Sequence, residues 1–276
     1  MSDLGLLLDR RQFLCVAGTV ISAPLSVLEG IVIAQSKQVT FEQALNDADN
    51  SNSLRQKYLD QLFRNLPSPY VERVIYSHAS SQQNKSSGNS GQTSTIFAEV
   101  SRGGFGVKGQ CEITIYKESF EPDFIDLNGK KIQIMPTEKF IVSTLMHEYR
   151  HTEDYEKGIN FGDGVIIDNL NFDEINPKLL EFVTDGRAFA DEISYTWWLN
   201  KITSNGDTLY HPAYIYNLDF FDRFMKNKRS EIKVDELNSF DKRLYNLQMI
   251  KVKPILKDVE RVFSDIGRRN GQIFCQ

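Results

Sequence analysis

The chain lacks a basic excess: 32 Lys and Arg stand against 37 Asp and Glu, a net charge of −5. Proteins that grip a nucleic-acid backbone present a basic face, so this composition excludes nucleic acid as a partner. Cysteine is scarce too. Of Cys15, Cys111 and Cys275, the first falls in an amino-terminal segment that reads as removable, which leaves either one bridge or two free thiols. Beyond the mildly apolar run from Phe13 to about Ala34, no stable membrane insertion is expected. Only four histidines occur in 276 residues, which makes the placement of any two informative.

Two of the four stand at i and i+4, in His147-Glu148-Tyr149-Arg150-His151. The flanking residues predict one amphipathic helix from about 138 to about 157. Thr137 after Pro136 is a suitable N-cap, Glu138 suits the positive first turn, and Gly158 after Lys157 suits the stop. At about 100° per residue, Ile141, Val142, Leu145, Met146 and Tyr149 share one side, with His147, His151 and Thr144 opposite. Imidazoles on successive turns of one face can hold a single Zn²⁺, and the carboxylate of Glu148 between them can take a proton from water on that ion. The competing reading is that these groups decorate a solvated face.

A catalytic zinc site needs a third protein ligand and an open position for water. Asn176-Pro177 makes a good N-cap and first position for a second helix, and one turn in comes Glu181-Phe182-Val183-Thr184-Asp185. An H-E-x-x-H helix followed by E-x-x-x-D on a later helix resembles the thermolysin-like gluzincin metallopeptidases. The resemblance implies one zinc ion held by His147, His151 and Glu181, with Asp185 hydrogen-bonded to His147 and Glu148 as the catalytic base. It also implies an α+β, zincin-like fold: a small mixed or antiparallel sheet packed on the motif helix, with a helical carboxyl-terminal part. Read from the residues alone, the third ligand stays open. Asp185 lies one turn beyond Glu181, and Glu174, Asp191, Glu192, His78 and His211 are further candidates. Leu179, Val183, Gly186, Ala190, Ile193 and Trp197 form the apolar stripe of the second helix; Glu181, Asp185, Ala188 and Glu192 lie nearly opposite, where a solvated acidic face is also a reading.

The chain departs from the family pattern in carrying Arg150 and Glu153 around the pentad and a longer connection to Glu181, with the glycine-rich run Gly158 to Gly164. Longer loops are tolerated because closure entropy grows slowly with length. Elsewhere, residues from about 41 to 64 read as helical, interrupted at 46–53, and 71–76, 96–100, 111–116 and 131–135 read as strands. Either of the strands at 96–100 and 111–116 is expected to border the cleft. Residues 79–94, nearly all Ser, Gln, Asn and Gly, read as a surface loop. Tyr210 to Phe224 and Val234 to Val262 read as closing helices. Tyr195, Tyr210, His211 and Tyr214 stand as open candidates for stabilising an oxyanion.

At the amino terminus, Asp9-Arg10-Arg11-Gln12-Phe13-Leu14 looks like a twin-arginine export signal, followed by an apolar segment ending Val32-Ile33-Ala34. Removal near Ala34 leaves 30 basic against 34 acidic residues. The expected organisation is an export signal at 1–34, a helix and first strand at 35–78, the loop at 79–94 and a metallohydrolase core at 95–276. Such a protein acts in the periplasm or outside the cell; an uncleaved anchor is the alternative. The expected function is zinc-dependent hydrolysis of peptides or proteins, the alternatives being an amide hydrolase for peptidoglycan peptides and a non-catalytic metal-binding domain.

Overall fold

A computed structural model describes residues 38–47, 53–79, 98–101, 111–127, 130–162, 164–203 and 210–268. The expected export segment, nearly all of the 79–94 loop and Cys275 lie outside the described residues. The described residues from Val39 onward belong to one compact unit. It is α+β, with three small sheets and long helices.

The first elements are α1 (Phe41–Leu45), α2 (Ser53–Asn65), β1 (Val71–Ser77), β2 (Ala98–Ser101) and β3 (Cys111–Tyr116). α1 begins at a capping box, in which Thr40 and Gln43 each satisfy the other's backbone N–H. The strands form a mixed sheet in the order β1-β3-β2, with β1 parallel and β2 antiparallel to β3. β3 is central because alternate residues, Cys111, Ile113 and Ile115, are buried on one face at the period of an extended chain. Cys111 carries a free, buried thiol. β2 pairs only with β3 among the described residues, so it forms an edge.

A single turn of 3-10 helix leads to β4 (Asp123–Leu127) and β5 (Lys130–Ile134), an antiparallel hairpin. Then comes α3 (Glu138–Lys157), the helix that carries the histidine pair. Thr137 Oγ1 accepts from the Phe140 N–H at 3.1 Å, and Gly158 ends the helix at φ +73°, a conformation that side chains disfavour. The glycine is doubly needed, since a Cβ there would meet Ile167 O at 2.6 Å. The glycine-rich run after α3 is not a plain loop. It folds as the hairpin β6 (Ile159–Gly162) and β7 (Val165–Ile167), turning through Gly162 and Gly164 at positive φ.

α4 (Pro177–Thr203) starts where Asn176 Oδ1 accepts from the N–H groups of Lys178 and Leu179. α5 (Pro212–Glu231) follows, capped by the His211 ring, and α6 (Ser239–Arg268) closes the order. Core side chains come from every long helix: Ile141 and Leu145 from α3, Phe182 and Val183 from α4, Phe221 from α5, Leu244 from α6. No helix among the described residues is long and apolar enough to cross a membrane.

Candidate metal centre

α3 is buried on two sides. Ile141 and Leu145 face the core, as an amphipathic stripe requires, yet Thr144 and His151 on the far side are also less than a tenth exposed. The far side, open to solvent on one sequence reading, is covered by α4. The acid-bearing face of α4 lies against the imidazole-bearing face of α3, and charged groups on both helices meet across the seam.

Four pairs define that seam. Arg187 on α4 forks onto Asp154, Nε to Oδ2 at 2.9 Å and a terminal nitrogen to Oδ1 at 3.0 Å, a bidentate geometry around a buried carboxylate. His151 Nε2 lies 3.4 Å from Asp185 Oδ1. Arg150 Nε donates to Asp191 at 2.6 Å. His147 Nδ1 lies 3.2 Å from Glu192 Oε2. Arg150 also reaches Glu153 at 3.0 Å, so of the two residues that depart from the family pattern Arg150 joins the helices and Glu153 braces it from within α3.

His147, His151 and Asp185 offer one ligand atom each, all within 4.8 Å of one another. Two ligands of a tetrahedral Zn²⁺, at about 2.0–2.1 Å from the ion, stand about 3.3 Å apart. The 3.4 Å between His151 Nε2 and Asp185 Oδ1 matches that separation. It is long for a charge-assisted hydrogen bond, which would close below about 3 Å. Two imidazoles and a carboxylate are a donor set that suits zinc, and the residues present fit such an ion.

Glu181, expected as third ligand, is directed elsewhere. It is half exposed and pairs with Lys228 Nζ of α5 at 2.5 Å. Asp185, expected behind His147, instead faces His151 and completes the cluster, while Glu192 occupies the place beside His147. The physical reason is the lie of α4: a lysine on a third helix draws off the first carboxylate, leaving the one a turn later over the imidazoles. Of the other candidates, Asp191 is engaged by Arg150, Glu174 is exposed, His78 is exposed and His211 caps α5.

Burial sets the electrostatics. It holds the His147 imidazole down at about 3 and, with His147 and Arg150 adding to it, keeps His151 well below its usual range. Both rings are therefore neutral, with lone pairs free to ligate. Burial, then Asp185, Glu192 and Glu99, pushes Glu148 far above the carboxylate range. Burial and Glu181 raise Asp185 to about 7, against the pull of Lys228, and burial raises Glu192 to about 8, against a hydrogen bond from Ser143. A divalent cation among these groups acts in the opposite direction on every one of the carboxylates.

The edge of the site was harder to read from sequence. Glu99 on β2 acts electrostatically on Glu148, so the edge strand β2 lies on the side of the centre that holds the expected base. Tyr116, at the end of β3, hydrogen-bonds Glu99 and senses Glu148; Tyr155 senses both Asp185 and Glu148. Tyr155 continues the column of His147 and His151 by one more turn and stacks on His151 with ring centroids 6.2 Å apart. That i, i+4, i+8 spacing was the available signal. Among the open oxyanion candidates, Tyr214 is a core residue, Tyr210 donates to Asp265, Tyr195 lies beside Glu138 and His211 is the α5 cap.

Comparison with known proteins adds no relative: no protein-family model matches the chain, nor does any curated protein or any solved structure.

Proposed function

We propose that this chain is a zinc-dependent metallopeptidase with a zincin-like core, in which His147, His151 and Asp185 hold one ion and Glu148 is the catalytic base. The observation that carries this reading is the convergence of those three ligand atoms, within 4.8 Å, beside the carboxylate-bearing turn of the same helix. When bound, the ion supplies a Lewis acid and brings the pKa of its water toward neutrality.

The chain's own groups do the rest. Glu148 sits between the two histidines in sequence, so its carboxylate projects from the neighbouring part of α3 and accepts the proton of the attacking water. It then passes that proton to the nitrogen of the departing amine as the C–N bond breaks. The low-dielectric surroundings that raise Glu148 also suit it to hold a proton between those two steps. An extended peptide can add to the edge of β2, whose backbone supplies main-chain hydrogen bonds while alternate side chains are read on either face. The Asp9 to Leu14 segment supports action in the cell envelope or outside the cell.

The test uses the purified full chain. The wild type is expected to take up one Zn²⁺ and to digest casein in preference to purified cell wall. Glu148→Gln is expected to keep the metal and lose at least about 100-fold in hydrolysis. Equal hydrolysis by both proteins removes Glu148 from the mechanism, and failure to bind Zn²⁺ at micromolar concentration removes the centre.

A further inference from the structure

We infer that Glu192 is a positioning residue that fixes the orientation and tautomer of His147, an inference that rests on the metal centre proposed above. Asp185 is drawn to His151 and is no longer available to the other imidazole. The carboxylate that does meet His147 is Glu192, with Oε2 at 3.2 Å from Nδ1, within hydrogen-bond range. Glu192 follows Asp185 by seven residues, almost two full turns, so both project from one face of α4, about 10 Å apart along its axis. The histidines of α3 lie one turn apart and meet these carboxylates in reverse order, as antiparallel helices require.

A neutral His147 whose Nδ1–H donates to Glu192 carries its lone pair on Nε2, the nitrogen left for an ion. The carboxylate also adds electron density to the ring and makes it a better ligand. Glu192 is held in its turn. Ser143, one turn before His147 on α3, acts on its side chain, while the Ser143 hydroxyl donates to Phe140 O at 2.9 Å and accepts from Asn217 Nδ2 of α5 at 3.3 Å. Asn217, Ser143 and Glu192 are all less than a tenth exposed, so buried polar groups from α3 and α5 adjoin the carboxylate that meets the imidazole. In surroundings of low dielectric such a cluster holds one geometry. Phe189 closes the remaining side, its ring 4.6 Å from that of His147 and steeply tilted to it.

The same arrangement distinguishes the two histidines. His151 Nδ1 is buried with no hydrogen-bond partner among the described residues, whereas His147 Nδ1 is engaged. Substitution at Glu192 should therefore reach the metal through His147 alone.

The experiment titrates Zn²⁺ against a chromophoric chelator in the full-length wild type, Glu192→Ala, Glu192→Gln and Ser143→Ala. It also records long-range proton–nitrogen spectra of the histidine rings in the same proteins before zinc is added. Glu192→Ala is expected to keep one zinc per chain with affinity weakened by about 10- to 100-fold. Glu192→Gln retains an acceptor for Nδ1–H and should recover part of that loss, and Ser143→Ala should show a smaller one. His147 should be a single Nδ1–H tautomer in the wild type and lose that preference only in Glu192→Ala. Should Glu192→Ala fail to fold, the glutamine and serine variants carry the same ranking. Unchanged affinity and tautomer in a wild type that binds zinc overturns the role of Glu192 and leaves the metal centre standing. Complete loss of zinc in both Glu192 variants overturns it too, since that result makes Glu192 a ligand. A wild type that binds no zinc overturns both.

Discussion

The two faces of α4 are built on opposite principles. Toward α5 and α6 it presents an apolar seam, where Phe182 stacks with Phe224 and Tyr245, and where Gly186 lets α6 approach so closely that a Cβ would stand 2.3 Å from Gln248 Nε2. Toward α3 it presents Asp185, Arg187, Asp191 and Glu192, an ionic seam of which two side chains, Asp154 and Glu192, are almost wholly buried. Apolar packing stabilises in proportion to the area it covers, whereas buried ions gain little or nothing over well-packed hydrophobic replacements. An ionic seam within a helical core is thus a local inconsistency of the kind that marks function. The apolar face keeps α4 in place; the ionic face says what it is in place for.

Substitutions on the two faces should separate stability from metal binding. The largest effect on stability is expected from Phe182→Ala, which empties a fully buried site and lowers unfolding free energy by about 3–5 kcal/mol in a urea titration, with zinc affinity of the folded protein unchanged. A comparable loss of zinc affinity would mean the two faces are not independent. Arg187→Met comes next. It leaves the Asp154 carboxylate buried without its partner and should lower stability by about 3 kcal/mol, and here the zinc affinity should fall as well, because the register of Asp185 depends on that fork. Adding Asp154→Leu should restore most of the stability and little of the affinity; full recovery of both would reduce the pair to packing. The smallest effect belongs to Gln248, whose two amide atoms are buried with no hydrogen-bond partner among the described residues. Gln248→Met should raise stability by about 1 kcal/mol and leave zinc binding alone, and a loss of stability would show that the amide is held by contacts of its own.

What the sequence revealed and what it hid divide along the range of the interactions. Thr137, Gly158 and Asn176-Pro177 announced the ends of α3 and the start of α4, because caps are local contacts between near neighbours in the chain. The strands at 71–76 and 111–116 were legible from their β-branched and aromatic residues, but nothing in these said that β1 and β3 run parallel with β2 on the far edge. The hairpin β6–β7 was hidden by its own glycines, which read as slack and in fact supply positive-φ turns. At the centre, His147 and His151 were legible as a pair because a single helix fixes their relation. Which acid faces which ring depends on how one helix lies on another and on Lys228 from a third, and no spacing within α4 encodes that.

The seam also acts as a vernier. If α4 slid along α3 by one turn, about 6 Å, Asp185 would come level with His147 and Glu181 with His151, the arrangement that the E-x-x-x-D pattern suggests. The two solutions therefore use the same residues and differ only in a one-notch offset. Arg187 on Asp154 and Arg150 on Asp191 engage at one notch and would be stranded at the other. Four charges that are not themselves candidate ligands are, on this view, the detent that selects which carboxylate is presented.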